Sequence, residues 1–222
     1  MSTQPTSPLT HRALIIRRAL VNRYGGPGAS DRGAVLVELA LVTPFLFTLV
    51  LGIFEFGQAW RERTSLHSAV RSALRIDTNT GSDRFADLNA VQSFNAIMSQ
   101  SKSLTVQKVV IYKANAADGS PLDPSCFTSN TPADIYDCNV YLGSQIPFLT
   151  VFNFAGTTTC TPQDNTNVDW RWCPLDRIST QGDEPDYVGI YAVTTYKSST
   201  GLLPKTVTFT DKAVARIDPK VT

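Results

Sequence analysis

The sequence predicts an α+β protein: a long N-terminal transmembrane helix that continues into an extracytoplasmic domain with a second helix, a small antiparallel sheet and a disulfide-containing loop region. Three observations predict it. Ala34 to Phe54 is a run of 21 residues broken only by Glu38, two threonines, Pro44 and Gly52. Beyond it, two stretches repeat apolar residues at helical spacing, and three more are rich in Val, Ile, Thr, Tyr and Phe. All four cysteines, Cys126, Cys138, Cys160 and Cys173, fall in a proline-rich stretch of the second half.

The apolar run is the first element. At about 1.5 Å per residue, 21 helical residues cover roughly 31 Å, the thickness of a bilayer's hydrocarbon core. A buried helix of a globular core would keep a polar stripe over this length, whereas here every face is apolar apart from an acid near each end. A cleaved secretory signal has a shorter apolar region and a small-x-small site, but this run ends in GIFEFGQAW. The span, residues 34–54, is therefore read as a retained single-pass anchor. Residues 1–33 form a basic leader with five arginines, Arg12, Arg17, Arg18, Arg23 and Arg32, against the single acid Asp31.

Orientation does not follow from charge. Arg17, Arg18, Arg23 and Arg32 flank one end of the span, and Arg61, Arg63, Arg71 and Arg75 flank the other. The cysteines, together with the Gly33–Glu38 motif at the membrane edge, decide it instead, because disulfides form in an oxidising compartment. The N-terminus is then cytoplasmic and the C-terminal part extracytoplasmic. Of the three connectivities open to four cysteines, Cys126 to Cys138 with Cys160 to Cys173 is taken as a guess, since each bridge closes a short turn-rich loop.

An acid within an apolar span is costly, so Glu38 needs a reason: a partner, or snorkelling of the side chain to the headgroups. It follows Gly33 by five residues in Arg32-Gly33-Ala34-Val35-Leu36-Val37-Glu38. This string resembles the type IV prepilin processing site, in which a peptidase cuts after the glycine and leaves a glutamate at the fifth mature position. Cleavage would free the α-amine of Ala34, which Glu38 of a neighbouring subunit could neutralise. RGAVLVELALVTPFLFTLVLGIFEFGQAW as a whole resembles the N-terminal signature of TadE-like proteins, minor pilins or pseudopilins of the Tad (tight adherence) pilus and secretion system. The matching residues are Gly33, Glu38, Pro44 and the stretch Gly52 to Gly57. Leu39, where the major pilins of that system typically carry Tyr, points to a minor subunit, while the 33-residue leader is longer than the family's usual one. The resemblance implies processing by a prepilin peptidase, and other pilins and the assembly platform as partners in cell-surface adhesion. Pro44 would bend the helix.

Past Trp60, Leu66, Ala69, Val70, Ala73 and Leu74 fall on one helical face, so the first helix is expected to run on to about Ile76, some 64 Å from Ala34 by helical rise. A second helix is expected over Asp83 to Ser101 with Ser82 as N-cap and an apolar stripe of Phe85, Leu88, Val91, Phe94, Ile97 and Met98. Strands are expected at Thr105 to Lys113, Tyr187 to Lys197 and Lys205 to Ile217, the last broken near Asp211 to Lys212. Ser198 to Leu203 would be a hairpin loop, giving a three-stranded sheet on the helices. The domain expected is 77–222, with 114–185 as a surface insertion. Within that insertion Trp170, Arg171 and Trp172 are the possible interaction loop, against the alternative that the tryptophans pack on a disulfide.

Several function classes are excluded by what the chain contains. From Arg61 onward 15 basic residues face 16 acidic ones, which leaves no concentrated basic footprint for nucleic acid. With two isolated histidines, His11 and His67, and no nucleotide-binding, nucleophile-elbow or zincin motif, no catalytic site, cofactor or metal site can be assembled. The acidic groups Asp183, Glu184 and Asp186, and Asp164, Asn167 and Asp169, match no calcium-loop template and read as solvated turns. The expected function is that of a structural pilus subunit. The alternative is an uncleaved, membrane-anchored binding module.

Overall fold

A computed structural model describes residues 29–130, 137–154, 167–179, 184–202 and 204–219. Two helices, α1 (Ala29–Thr80) and α2 (Ala86–Met98), precede strand β1 (Leu104–Ala114). A short helical turn α3 (Ser125–Thr128), strand β2 (Cys138–Leu142), a second turn α4 (Val151–Phe154) and strands β3 (Tyr187–Lys197) and β4 (Thr206–Arg216) follow. Three-residue 3-10 turns lie at Ile146–Phe148, Trp170–Trp172 and Pro174–Asp176. The chain divides into two compact units, Met1–Gly52 and Ile53–Thr222.

In the first unit, α1 carries its apolar side chains unburied. Val35, Leu36, Leu39, Leu46, Leu49 and Val50 are each more than half exposed. The helix is continuous through Pro44, whose missing N–H leaves the Ala40 carbonyl without its usual donor. The hydroxyls of Thr43 and Thr48 donate back to the carbonyls of Leu39 and Pro44 at 2.6 and 2.8 Å, a pattern that tends to bend helices.

The second unit is built around an antiparallel sheet of order β2-β1-β3-β4. Strand alternation sends Val109 and Ile111 of β1 to one face, where they meet Leu66, Val70 and Ala73 of α1 and Leu88, Val91 and Phe94 of α2. Val110, Tyr112 and Ala114 point to the other face, onto Cys126, Cys138 and the Phe127 ring. Phe127 stacks on Tyr191 with ring centroids 4.4 Å apart and meets Tyr112 edge-on at 4.9 Å. Both faces of the sheet are thus covered at β1, while Thr206, Thr208, Thr210, Lys212 and Arg216 of β4 stay exposed on the second face.

The structure departs from the sequence reading at several points. Helix α1 ends at Thr80 and not near Ile76; Gly81, at φ +58°, donates its N–H to the Asp77 carbonyl at 2.8 Å in a left-handed cap. Helix α2 begins at Ala86, and Ser82 does not cap it. Asp83 instead accepts from the Phe85 N–H at 2.9 Å, while the Ser82 hydroxyl lies 2.8 Å from that of Ser179. Strand β4 is unbroken through Asp211 and Lys212, which pair with Ala192 and Tyr191.

The largest departure is in 114–185, whose described residues include a fourth strand. It supplies β2 and, through α3, the layer over the second sheet face. The bridge between Cys126 and Cys138 ties that layer to β2. Five residues, Cys-Asn-Val-Tyr-Leu, are too few for a periodicity argument to find the strand.

Candidate functional site

The unburied stretch of α1 carries the residues singled out by sequence. Gly33 and Glu38 are exposed, and a Cβ built on Gly33 or Gly52 would meet nothing within 4 Å. The helix is long and apolar enough to cross a membrane, and its apolar window is unburied throughout. An apolar surface of this extent in water would be strongly unfavourable, so lipid or other helices must cover it.

Just beyond the 34–54 span, Glu55 is held by the hairpin between β3 and β4. Its side chain is 1 % exposed. Tyr196 Oη donates to Oε1 at 2.9 Å, the Ser199 N–H to Oε1 at 3.1 Å and the Thr200 N–H to Oε2 at 3.0 Å. Gly201, at φ +78°, lets the chain turn back, and its N–H donates to the Ser198 hydroxyl at 3.3 Å. Burial works to raise the carboxyl pKa, but the hydrogen bonds from Thr200, Tyr196 and Ser199 outweigh it and hold the group down at about 2. Burial and this same carboxylate push the Tyr196 phenol up to about 12. Glu55 is the acid of the GIFEFG stretch, so a position that reads as the end of an apolar segment is an anchoring point for the sheet.

A second polar cluster lies inside the unit. Arg177 Nη1 donates to both Asp77 oxygens at 3.1 and 3.2 Å, and Nη2 donates to Asp87 Oδ1. All three side chains are fully buried. Asp87 Oδ2 also accepts from Asn139 Nδ2 at 2.8 Å and from Tyr141 Oη at 2.7 Å. The cluster ties α1, α2 and β2 to the segment after Trp172, whose ring lies under the Arg177 guanidinium at 4.0 Å. One arginine faces two acids, so negative charge is in excess. Burial pushes the Asp77 pKa up, Arg177 opposing and Asp87 adding to the rise. Burial and the Asp87 charge push Asp169 up to about 7.

Sequence reasoning missed this cluster, although a signal was present. Asp77 continues the buried α1 stripe of Leu66, Val70 and Ala73, and Asp87 continues the α2 stripe of Val91, Phe94 and Met98. An acid in register with an apolar stripe marks a buried charge. Arg177 lies in irregular chain and carries no such mark.

The possible interaction loop is placed differently from an exposed anchor. Trp172 is 6 % exposed and belongs to the core, while Trp170 and Arg171 are half-buried, with the guanidinium 4.6 Å from the Trp170 ring centre. Cys173 is disulfide-bonded. Cys160 lies outside the described residues, as do Asp164, Asp183 and the leader up to Gly28. Among the described residues no group of three or more His, Cys, Asp or Glu side chains could hold a metal ion.

The fold and the exposed segment define a class: an α+β domain whose first helix carries an unburied apolar stretch at its N-terminal end. Residues 33–75 match the family model described as TadE-like protein. The match covers the unburied stretch of α1 and the part of that helix that enters the second unit. No curated protein and no solved structure matches the chain.

Proposed function

We propose that this chain is a minor pilin or pseudopilin of a Tad-type pilus assembly or secretion system. It is inserted with its N-terminus in the cytoplasm, spans the membrane once with residues 34–54, and is cut by a prepilin peptidase after Gly33. The domain beyond residue 77 is extracytoplasmic in this reading. Its partners are other pilins, the assembly platform and the peptidase.

The observation that carries the reading is the family match over 33–75, which begins at the glycine of the processing motif. The unburied apolar surface of α1 supports it, because a filament of packed helices and a bilayer are the two environments that would cover it. Gly33, Gly52 and Gly57 support it too: among the described residues no packing requires their small size, while close helix–helix approach does. Once Ala34 becomes the N-terminus, Glu38 of one subunit neutralises its amine on the next and sets axial register.

N-terminal sequencing of the mature protein tests the reading. Ala34 as first residue is expected. An intact leader in cells with an active prepilin peptidase would leave the uncleaved, membrane-anchored binding module as the remaining reading.

A further inference from the structure

Strand β4 ends the sheet on one side, and among the described residues its outer edge is open. The Ser198 N–H donates to the Lys205 carbonyl and the Ile217 N–H to the Asp186 carbonyl, at 3.2 and 3.0 Å, which sets the phase of the β3–β4 ladder. By antiparallel alternation the backbone groups of Thr206, Thr208, Thr210, Lys212, Val214 and Arg216 point away from β3. Among the described residues no backbone group pairs with them. An unpaired edge of this length is a template for another strand.

The charges that α1 sets beside this edge are basic, and the acid among them, Asp211 of β4, is paired. Helix α1 packs on the sheet face formed by Val207, Phe209, Ala213 and Ala215, and it places Arg63, His67, Arg71 and Arg75 one turn apart along a strip. Two grooves, of about 400 and 350 Å³, run between that strip and the strand. The first is lined by Trp60, Arg63, His67, Thr210 and Asp211, and the second by Arg71, Arg75, Lys212 and Val214. Asp211 pairs with His67 at 2.8 Å. Arg63, Arg71 and Arg75 have no carboxylate partner among the described residues. Like charges one turn apart destabilise a helix by a few tenths of a kcal/mol per pair, so among the described residues the strip is a cost without an offset.

We infer that the groove between α1 and β4 receives an extended acidic segment of another polypeptide, which adds to β4 as a fifth strand and places carboxylates against Arg63, Arg71 and Arg75. The two halves of the site call for different parts of one ligand. The edge wants a backbone, and the arginines want acids on one face of it. A second copy of β4 fits poorly. Its one acid, Asp211, is already paired with His67, so it brings no free carboxylate to the arginines. Anionic lipid also fits poorly: from Trp60 to Arg75 the strip runs about 22 Å along the helix, against a headgroup layer of roughly 5–7 Å, and lipid offers no backbone to the strand.

The probe is a labelled octapeptide alternating Val and Glu, with its Val-Lys counterpart as control. Both are titrated by fluorescence anisotropy against the full chain in phosphatidylcholine nanodiscs, and hydrogen exchange follows residues 206–216. The Glu peptide should bind at least about tenfold more tightly than the Lys peptide and slow exchange in β4. The double variant Arg71→Glu, Arg75→Glu should reverse that preference, with exchange in β1 and β3 reporting an intact sheet. Equal binding of the two peptides, binding without protection of β4, or an unreversed preference in the folded variant each overturns the inference. So does protection of β4 by phosphatidylglycerol discs when neither peptide binds.

Discussion

Tyr196 Oη donates a hydrogen bond to Glu55 Oε1 at 2.9 Å, joining residues 141 positions apart in the chain. With the Ser199 and Thr200 amides on the same carboxylate, the bond ties α1 to the β3–β4 hairpin where the helix enters its folded unit. A carboxylate gathering three donors in a buried site is strong because each bond is charge-assisted.

Glu55→Gln keeps the shape but removes the charge, and it turns one acceptor atom into a donor facing an amide N–H. Its Tm should fall by on the order of 5 °C, with faster amide exchange at Ser199 and Thr200. Since the folded pKa is depressed, the contribution is present above the unfolded value of about 4.5 and is lost as pH falls through about 2. Wild type should therefore lose stability over that acid window, and the Gln variant should lose less of it. An unchanged Tm with unchanged exchange would remove the clasp as a stabilising element.

The Arg177 cluster predicts the opposite slope nearer neutrality. Asp77 and Asp169 have raised pKa values in the folded state, so their stabilisation is complete below the unfolded value of 3.8 and is lost as pH rises through about 7. Urea midpoints should fall between pH 5 and pH 8, and Asp77→Asn, which imitates the protonated acid, should flatten that fall. Arg177→Met leaves two buried carboxylates without their cation and should cost about 3–5 kcal/mol at pH 7. A flat midpoint from pH 5 to 8 in wild type would contradict the charge assignment.

Opening the Cys126–Cys138 bridge should loosen the layer on the second sheet face. With a separation of 12 residues, loop-closure entropy gives about 3 kcal/mol for the bridge. Cys126→Ser with Cys138→Ser should lower stability by that order and speed exchange in β2 before β3. Equal acceleration in both strands would mean that the bridge supports the whole sheet and not this layer.

Glu38→Ala tests the assembly reading separately from folding. Glu38 is exposed and lies in the unit before Ile53, so the variant should fold with unaltered Tm and be processed at Gly33. Its incorporation into filaments should drop sharply. Wild-type incorporation, measured on sheared surface fractions, would take away the proposed pairing of Glu38 with the Ala34 amine.

The sequence by itself determined the elements whose information is local. An apolar run of bilayer length, helical stripes and β-rich strands report on their own neighbours. The sequence also held Asp77 and Asp87 in register with buried stripes, but a charge in such a place declares only that a partner exists. Only the tertiary structure decided which partners these are. Arg177 reaches Asp87 across 90 residues and Tyr196 reaches Glu55 across 141, and pairings at such separations are set by how helices and sheet pack. The same holds for the stretch between β1 and β3. Its residues lack periodicity, because they cover the sheet by individual contacts, Phe127 on Tyr191 and Trp172 under Arg177, which no repeat in the chain encodes.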